Sequence, residues 1–240
     1  MKSRVASLKD QQKFSLLYPT FLLLLCLASP LRADDHYLEP GHPDGVALLA
    51  PPPAPGSEEE AAELQLCREV VKARTSAQTA TAVEDMKLNV FNFAQVIGPE
   101  FKPGKFPKTE ALLAKVKTEM RPCVDAAKDH WKRQRPYQLD PSLAFTRPEK
   151  SSSYPSGHSA VGTVQSLVLA ELFPEKREAI LALGQRIGWD RVLTGYHFYS
   201  DVQAGRVIGQ AIVREMMANP AFQHDLAEAK AEIAAAQQAH

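Results

Sequence analysis

Residues 155–172 read PSGHSAVGTVQSLVLAEL, and this stretch decides the architecture. Pro155-Ser156-Gly157 leads into a helix expected from His158 to about Leu172, whose first backbone amides lack intrahelical partners and can receive anionic oxygens. Ala160 and Gly162 are small enough to let that helix pack closely against a neighbour. On either side the signals are also helical. Ser57 followed by EEEAAELQ supplies an N-cap and acids in a first turn, and Leu64, Cys67, Val70 and Val71 recur at helical spacing. Residues 91–101 and 109–120 repeat the pattern, interrupted by Pro99, Pro103 and Pro107. A helix from about Pro122 should end near Arg135, because Pro136 biases its predecessor out of the helical region. Lys128 and Arg135, seven apart, would then project from one face. Further helices are expected over about 175–189, around Asp201, Gly205 and Gly209, and over the Ala-rich residues 220–238, the last packed outside the core. No alternating strand or internal repeat is visible, so the expected fold is all-α, a single-domain helical bundle.

The chain has 240 residues, 45% hydrophobic and 23% charged, which suits one globular domain with a real core. Its beginning reads as a secretory signal over 1–33. Lys2, Arg4, Lys9 and Lys13 precede an apolar run from Phe14 to Ala28, and Leu31-Arg32-Ala33 offers a cleavage point. The apolar run is shorter than the ~20 residues of a typical membrane span. Residues 34–56, rich in proline, are expected to be an extended leader, and 57–240 the domain itself. Of the 28 Lys/Arg and 28 Asp/Glu, residues 1–33 hold five bases and one acid. The remainder carries 23 bases and 27 acids, a formal charge of −4. Such a surface does not recruit nucleic acid or anionic membrane by bulk charge, so an anion site must be local. After cleavage the expected location is periplasmic or secreted. Cys67 and Cys123 then remain, either bridged, which would contribute ~4 kcal/mol in the chain-entropy treatment, or buried as free thiols.

Three short blocks carry the chemistry: Lys128-x6-Arg135-Pro136, Pro155-Ser156-Gly157-His158, and Arg191-x5-His197-x3-Asp201. Each alone has a bland explanation, as a solvated basic helix face, a turn before a helix, or a local ion pair. Together they supply three fixed cations, two histidines, a carboxylate and a glycine-flanked helix start, which is what holding a phosphate and cutting its ester without a metal requires. No HxxEH or paired-cysteine spacing suggests a metal centre, and no cofactor is implied.

In this order and spacing the blocks resemble the signature of the type 2 phosphatidic acid phosphatase (PAP2) superfamily, K-x6-RP, PSGH and SR-x5-H-x3-D. That superfamily includes bacterial class A nonspecific acid phosphatases, lipid phosphatases and vanadium haloperoxidases. One fixed position differs, since Asp190 stands where the pattern has serine. LLAPPPAPGS and NPAFQ also resemble the class A phosphatases, so the likeness runs over most of the chain beyond the signal.

The resemblance implies a helical fold of the PAP2/haloperoxidase type and an acid phosphatase acting on small phosphomonoesters. It assigns His197 as nucleophile, forming a phosphohistidine, with Asp201 holding the imidazole in the reactive tautomer. His158 is the acid and later the base. Lys128, Arg135 and Arg191 neutralise the phosphoryl oxygens, and the Ser156 hydroxyl and Gly157 amide complete the cradle. Asp190 is expected to point away from the pocket or to orient Arg191 from behind. Alternative readings are a soluble lipid or diphosphate phosphatase, a vanadium-dependent haloperoxidase and a non-catalytic phosphate-binding protein. Family members often form oligomers, and no surface in the sequence identifies an interface.

Overall fold

The structure, a computed structural model, describes residues 36–238. The expected signal over 1–33 and the terminal His240 lie outside the described residues. Ten α-helices run in the order α1 Gly45–Leu48, α2 Glu58–Ala73, α3 Ser76–Asp85, α4 Ala94–Ile97, α5 Pro107–Trp131, α6 Pro136–Leu139, α7 Gly157–Leu172, α8 Arg177–Leu193, α9 Tyr199–Ala218 and α10 Pro220–Gln238. No strand occurs among the described residues, and none of their helices is long and apolar enough to cross a membrane.

The decisive stretch is α7. Ser156 caps it, its Oγ accepting the Ser159 amide at 3.3 Å, and the helix is buried on nearly every side between α8 and α9. Close approach to α8 depends on two glycines facing each other. A Cβ at Gly162 would lie 2.9 Å from the Gly184 carbonyl oxygen, and one at Gly184 would lie 2.7 Å from that of Gly162. Val164, Val168 and Leu169 then join Phe101, Phe106 and Phe173 in the main core, where each fully buried side chain contributes ~1.5–3 kcal/mol.

Helix α5 differs from expectation. It begins at Pro107 and runs through Pro122, because Met120, Cys123, Val124 and Ala127 bury its inner face on both sides of that proline. It ends at Trp131, where Lys132 turns left-handed with φ 48°. Its N-terminus has no side-chain cap of its own. Glu232 from α10 accepts the Lys108 and Thr109 amides at 2.9 and 3.0 Å instead. Helix α10 is therefore part of the core rather than an outer appendage, with Phe222, Leu226, Ala229 and Ile233 buried along one stripe. Helix α8 also runs further than expected, to Leu193, which puts Arg191 inside its last turn.

Residues 36–56 lie along the bundle. Tyr37 is buried edge-on against Phe222, with ring centroids 5.2 Å apart, and donates to Asp225. Gly45 fits against Ala127 and Ile208. Cys67 and Cys123 are free and buried, Cys67 Sγ lying 3.7 Å from the His197 carbonyl oxygen and Cys123 Sγ 3.1 Å from that of His42.

Candidate active site

Two chain turns and one tie between helices deliver the three sequence blocks to one place. After α5 the left-handed Lys132 redirects the chain, so Lys128 sits in the last helical turn while Arg135 caps the separate short helix α6. The two cations are thus brought together by a break in the helix, not by two turns of a continuous one. Beyond α8, Gly195 adopts φ +70°, and the Tyr196 and His197 amides both donate to the Arg191 carbonyl, at 2.9 and 3.1 Å. This tight loop holds His197 beside Arg191. A side chain at Gly195 would also strike the Leu143 backbone. The start of α9 is tied to the start of α7 by the Ser156 amide, which donates to the Asp201 carbonyl at 2.9 Å.

His197 is buried, 1% exposed, and its two ring nitrogens have different partners. Nε2 lies 3.1 Å from Nη1 of Arg135, and Nδ1 lies 3.3 Å from both Asp201 Oδ2 and Ser153 Oγ. A guanidinium can only donate, so Nε2 accepts, and the hydrogen-bond network assigns the proton to Nδ1. Burial, then Arg135 and Lys128, push the imidazole well below its ordinary pKa, which favours the neutral ring whose Nε2 lone pair accepts from Arg135. Asp201 accepts from Arg133 Nη1 at 2.7 Å, Ser153 Oγ at 2.5 Å and the Phe198 amide at 2.9 Å.

Positive charge gathers around this histidine. Lys128 is buried and donates to the Ser152 carbonyl at 2.5 Å; burial, then Arg135, bring it down to about 8. Arg135 is 1% exposed and spreads its donors over the Ser151, Ser152 and Tyr196 carbonyls and the Glu149 carboxylate. Arg191 is equally buried, lies 4.2 Å over the Tyr196 ring, and shares Glu149 with Arg135. Its Nε and Nη1 have no hydrogen-bond acceptor among the described residues. Two buried guanidinium groups joined by one carboxylate, with donors to spare, form a fork suited to a tetrahedral oxyanion.

His158 stands at the N-terminus of α7, its Nε2 3.1 Å from the Met86 carbonyl oxygen, so that nitrogen carries the proton. Burial and then Arg191 bring it down to about 3, which leaves it neutral until a negative charge arrives. Lys128, Arg135, His158, Gly157 and His197 line one cavity of about 270 Å³ with Glu149 and Ser151; Leu88, Met120, Val124 and Val161 give it an apolar wall. Ser156 is fully buried and its hydroxyl oxygen caps α7, which leaves the O–H as a donor, and from this turn Gly157 and His158 line the cavity. Asp190 is buried, its Oδ2 has no hydrogen-bond partner among the described residues, and the neighbouring Asp85 is paired by Arg186 at 3.2 Å; burial and then Asp85 bring Asp190 up to about 7. Among the described residues, no three His, Cys, Asp or Glu side chains are arranged to hold a metal ion.

Sequence reasoning missed Arg133, Glu149, Ser153 and Glu63. Arg133 was one base among several in KDHWKRQR, and nothing in the order of residues separated it from its solvated neighbours. Glu149 and Ser153 reach the site from the segment between α6 and α7, which carries no periodic signal.

Residues 113–224 match the PAP2 superfamily. The chain is 33% identical over 232 residues to a non-specific acid phosphatase of Salmonella typhimurium, covering 90% of this chain and 92% of that protein. It is 32% identical over 216 residues to a non-specific acid phosphatase of Providencia stuartii, covering 85% and 86%. The chain belongs to the PAP2 superfamily. The crystal structure of a transmembrane PAP2 type phosphatidylglycerolphosphate phosphatase from Bacillus subtilis shares the fold, with TM-score 0.50 and 19% identity over 72% of this chain and 89% of that one.

Proposed function

We propose that this protein is an exported, metal-independent acid phosphatase that hydrolyses phosphate monoesters through a phosphohistidine on His197. The observation that carries this reading is the state of His197. Its Nε2 is unprotonated and points at Arg135, while Nδ1 is turned to Asp201. A histidine nucleophile that must work in acid has to stay neutral there, and burial beside three cations does that.

In the proposed reaction the phosphoryl group enters between Arg135, Arg191, Lys128 and the first amides of α7, displacing Glu149 from the arginine pair. Nε2 attacks phosphorus, the N–P bond forms as the ester P–O bond breaks, and the departing oxygen takes a proton from His158. The incoming negative charge raises the affinity of His158 for a second proton, which Nδ1 takes from solvent before the transfer and then gives to the departing oxygen, against the burial and Arg191 that lower that affinity in the free site; Nε2–H stays on the Met86 carbonyl. In the second half, His158 takes a proton from water, the water oxygen bonds to phosphorus, and the N–P bond breaks to release phosphate. Nδ1–H stays on Asp201 throughout, so the histidine returns to its starting tautomer.

The homology to non-specific acid phosphatases over most of the chain supports this reading. Residues 1–33 are its export signal, and the periplasm or exterior its site of action. The apolar wall formed by Leu88, Met120, Val124 and Val161 also favours, as a second reading, leaving groups with an apolar part, including soluble lipid phosphates. Rates on nucleotides, sugar phosphates, phosphatidic acid and pyrophosphate, with and without chelator, separate the two. The mechanistic test is rapid quench with labelled substrate. His197→Ala should give neither turnover nor acid-labile phosphoenzyme. His158→Ala should still form phosphoenzyme from p-nitrophenyl phosphate but fail on alkyl phosphates, whose leaving oxygen needs a proton. Phosphoenzyme in the His197 variant refutes the assignment.

A further inference from the structure

We infer that Arg133 is a positioning residue for phosphoryl transfer: it anchors the Asp201 carboxylate, and through it the His197 imidazole, while making no contact with the substrate. This inference rests on the reading of His197 as the nucleophile.

Arg133 is 6% exposed and does not line the cavity. Its Nη1 lies 2.7 Å from Asp201 Oδ1 and 2.8 Å from Ser200 Oγ, its Nη2 lies 2.8 Å from Glu63 Oε2, and its guanidinium stacks 3.9 Å above the Phe198 ring. The two oxygens of Asp201 thus have separate duties. Oδ1 is held by Arg133, and Oδ2 meets His197 Nδ1, Ser153 Oγ and the Phe198 amide. With Oδ1 fixed, rotation of the carboxylate is blocked and Oδ2 can only face the imidazole. Arg133 is also the one lysine or arginine among the described residues that makes an ion pair with Asp201. A fully buried carboxylate without such a partner takes up a proton, and a protonated Asp201 would no longer oblige Nδ1 to carry the hydrogen.

Arg133 is itself held from the far side. Glu63 of α2 accepts the Ser200 amide at 2.8 Å, the Ser200 hydroxyl at 2.7 Å and Arg133. It therefore fixes the first turn of α9 and the guanidinium together. The Arg133 carbonyl accepts the Ser153 amide at 2.9 Å, so the serine that also touches His197 Nδ1 is anchored by the same residue. A plain structural ion pair would explain the burial. It would not explain why both Nη1 bonds of this arginine end in the first turn of α9, on Ser200 and on the Asp201 that meets His197, while Nη2 is held by the glutamate that binds Ser200 as well.

The test uses the full chain with Arg133→Lys, Arg133→Gln and Glu63→Gln. Binding of inorganic phosphate, measured by calorimetry, and KM for p-nitrophenyl phosphate should stay within about twofold of wild type in all three, because the anion fork is untouched. The rate of phosphoenzyme formation and kcat should fall about 10- to 100-fold in Arg133→Gln, the usual scale for a misaligned reacting group. Arg133→Lys should recover part of the loss, since an ammonium can reach Oδ1 but cannot also span to Glu63. Glu63→Gln, which leaves the Arg133–Asp201 pair in place, should lower kcat about threefold to tenfold and supplies the test if Arg133→Gln fails to fold. Unchanged kcat in Arg133→Gln, or in Glu63→Gln where it must serve instead, overturns the inference. So does parallel loss of phosphate binding and kcat, which would make Arg133 a scaffold or a substrate contact. Wild-type turnover without acid-labile phosphoenzyme would instead refute the nucleophile assignment on which the inference stands.

Discussion

Glu149 occupies the arginine pair where a phosphoryl group is expected to bind, and removing its charge should strengthen phosphate binding. Its Oε2 lies 3.1 Å from Arg135 Nη2 and its Oε1 contacts Arg191 Nη2. Charge-assisted bonds of this kind contribute ~1.5–3 kcal/mol each when fully buried. The Glu149 side chain is 31% exposed, so solvent screening reduces each to about 1 kcal/mol. Phosphate must break both, and the neutral Glu149→Gln side chain holds the arginines far less. Inorganic phosphate should therefore inhibit Glu149→Gln about 5- to 30-fold more tightly, the factor that 1–2 kcal/mol represents. Although burial pushes the Glu149 carboxyl up, Arg135 and Arg191 outweigh it and hold it below its ordinary 4.5. It is thus charged at pH 5.5 and loses its charge only in stronger acid. Wild-type phosphate affinity should rise as pH falls below 4.5, while phosphate itself stays monoanionic, and the variant should lack that rise. The assay is the competitive inhibition constant of phosphate against p-nitrophenyl phosphate at pH 3.5 to 5.5. Weaker phosphate inhibition in the variant would refute the reasoning and show that Glu149 holds the arginine fork in shape rather than covering it.

Other outcomes follow from single features. Asp190 rises from 3.8 in the unfolded chain to about 7 in the fold, so the native state retains a proton that the unfolded state releases. Stability should then fall as pH rises from about 4 to 7, and Asp190→Asn should flatten that part of the melting-temperature profile, with a parallel profile ruling the pair out as its cause. Gly184→Ala should destabilise by ~1–3 kcal/mol, because overpacking against the Gly162 carbonyl and the Ser166 side chain exceeds the gain in helix propensity. That corresponds to a loss of about 2–4 °C per kcal/mol in a thermal melt, and an unchanged melt would contradict the close approach of α7 and α8. Dithiothreitol should leave the melting temperature and activity unchanged, since Cys67 and Cys123 are free; a reducible bridge on non-reducing electrophoresis would contradict this.

The all-helical fold was legible because helix starts and apolar spacing are local. Ser57 caps α2 as its sequence indicates, α7 starts at Gly157, one residue before the expected His158, and Arg191, His197 and Asp201 converge because one short loop and one helical turn separate them. Boundaries failed where packing overrode local preference. Pro122 reads as a helix start, yet the buried face around it sustains α5 through the ~3 kcal/mol that an interior proline costs. Pro136 reads as the end of that helix, but it opens α6, and the actual stop is a left-handed lysine with no signature in the sequence. Lys128, Arg135 and His158 were identifiable by type and order. Arg133 and Glu149 were not, because their significance depends on partners 68 and 42 residues away, Asp201 and Arg191.

The cavity has two ends of different origin. Its reacting end draws almost all its side chains from residues 128–201, whereas the opposite wall comes from Leu88 and the middle turns of α5, with Lys117, Met120, Arg121, Val124 and Asp125. From the earlier part of the chain the Met86 carbonyl, Glu63 and Cys67 reach across to the histidines and their supports. On the proposed mechanism, a change at Leu88, Lys117 or Arg121 should alter which leaving group fits without disturbing the atoms assigned to phosphoryl transfer. Selection can exchange one face of the cavity as a tool holder exchanges bits, and broad substrate range is the natural behaviour of a protein in which the grip on phosphate and the choice of alcohol are built from different stretches of chain.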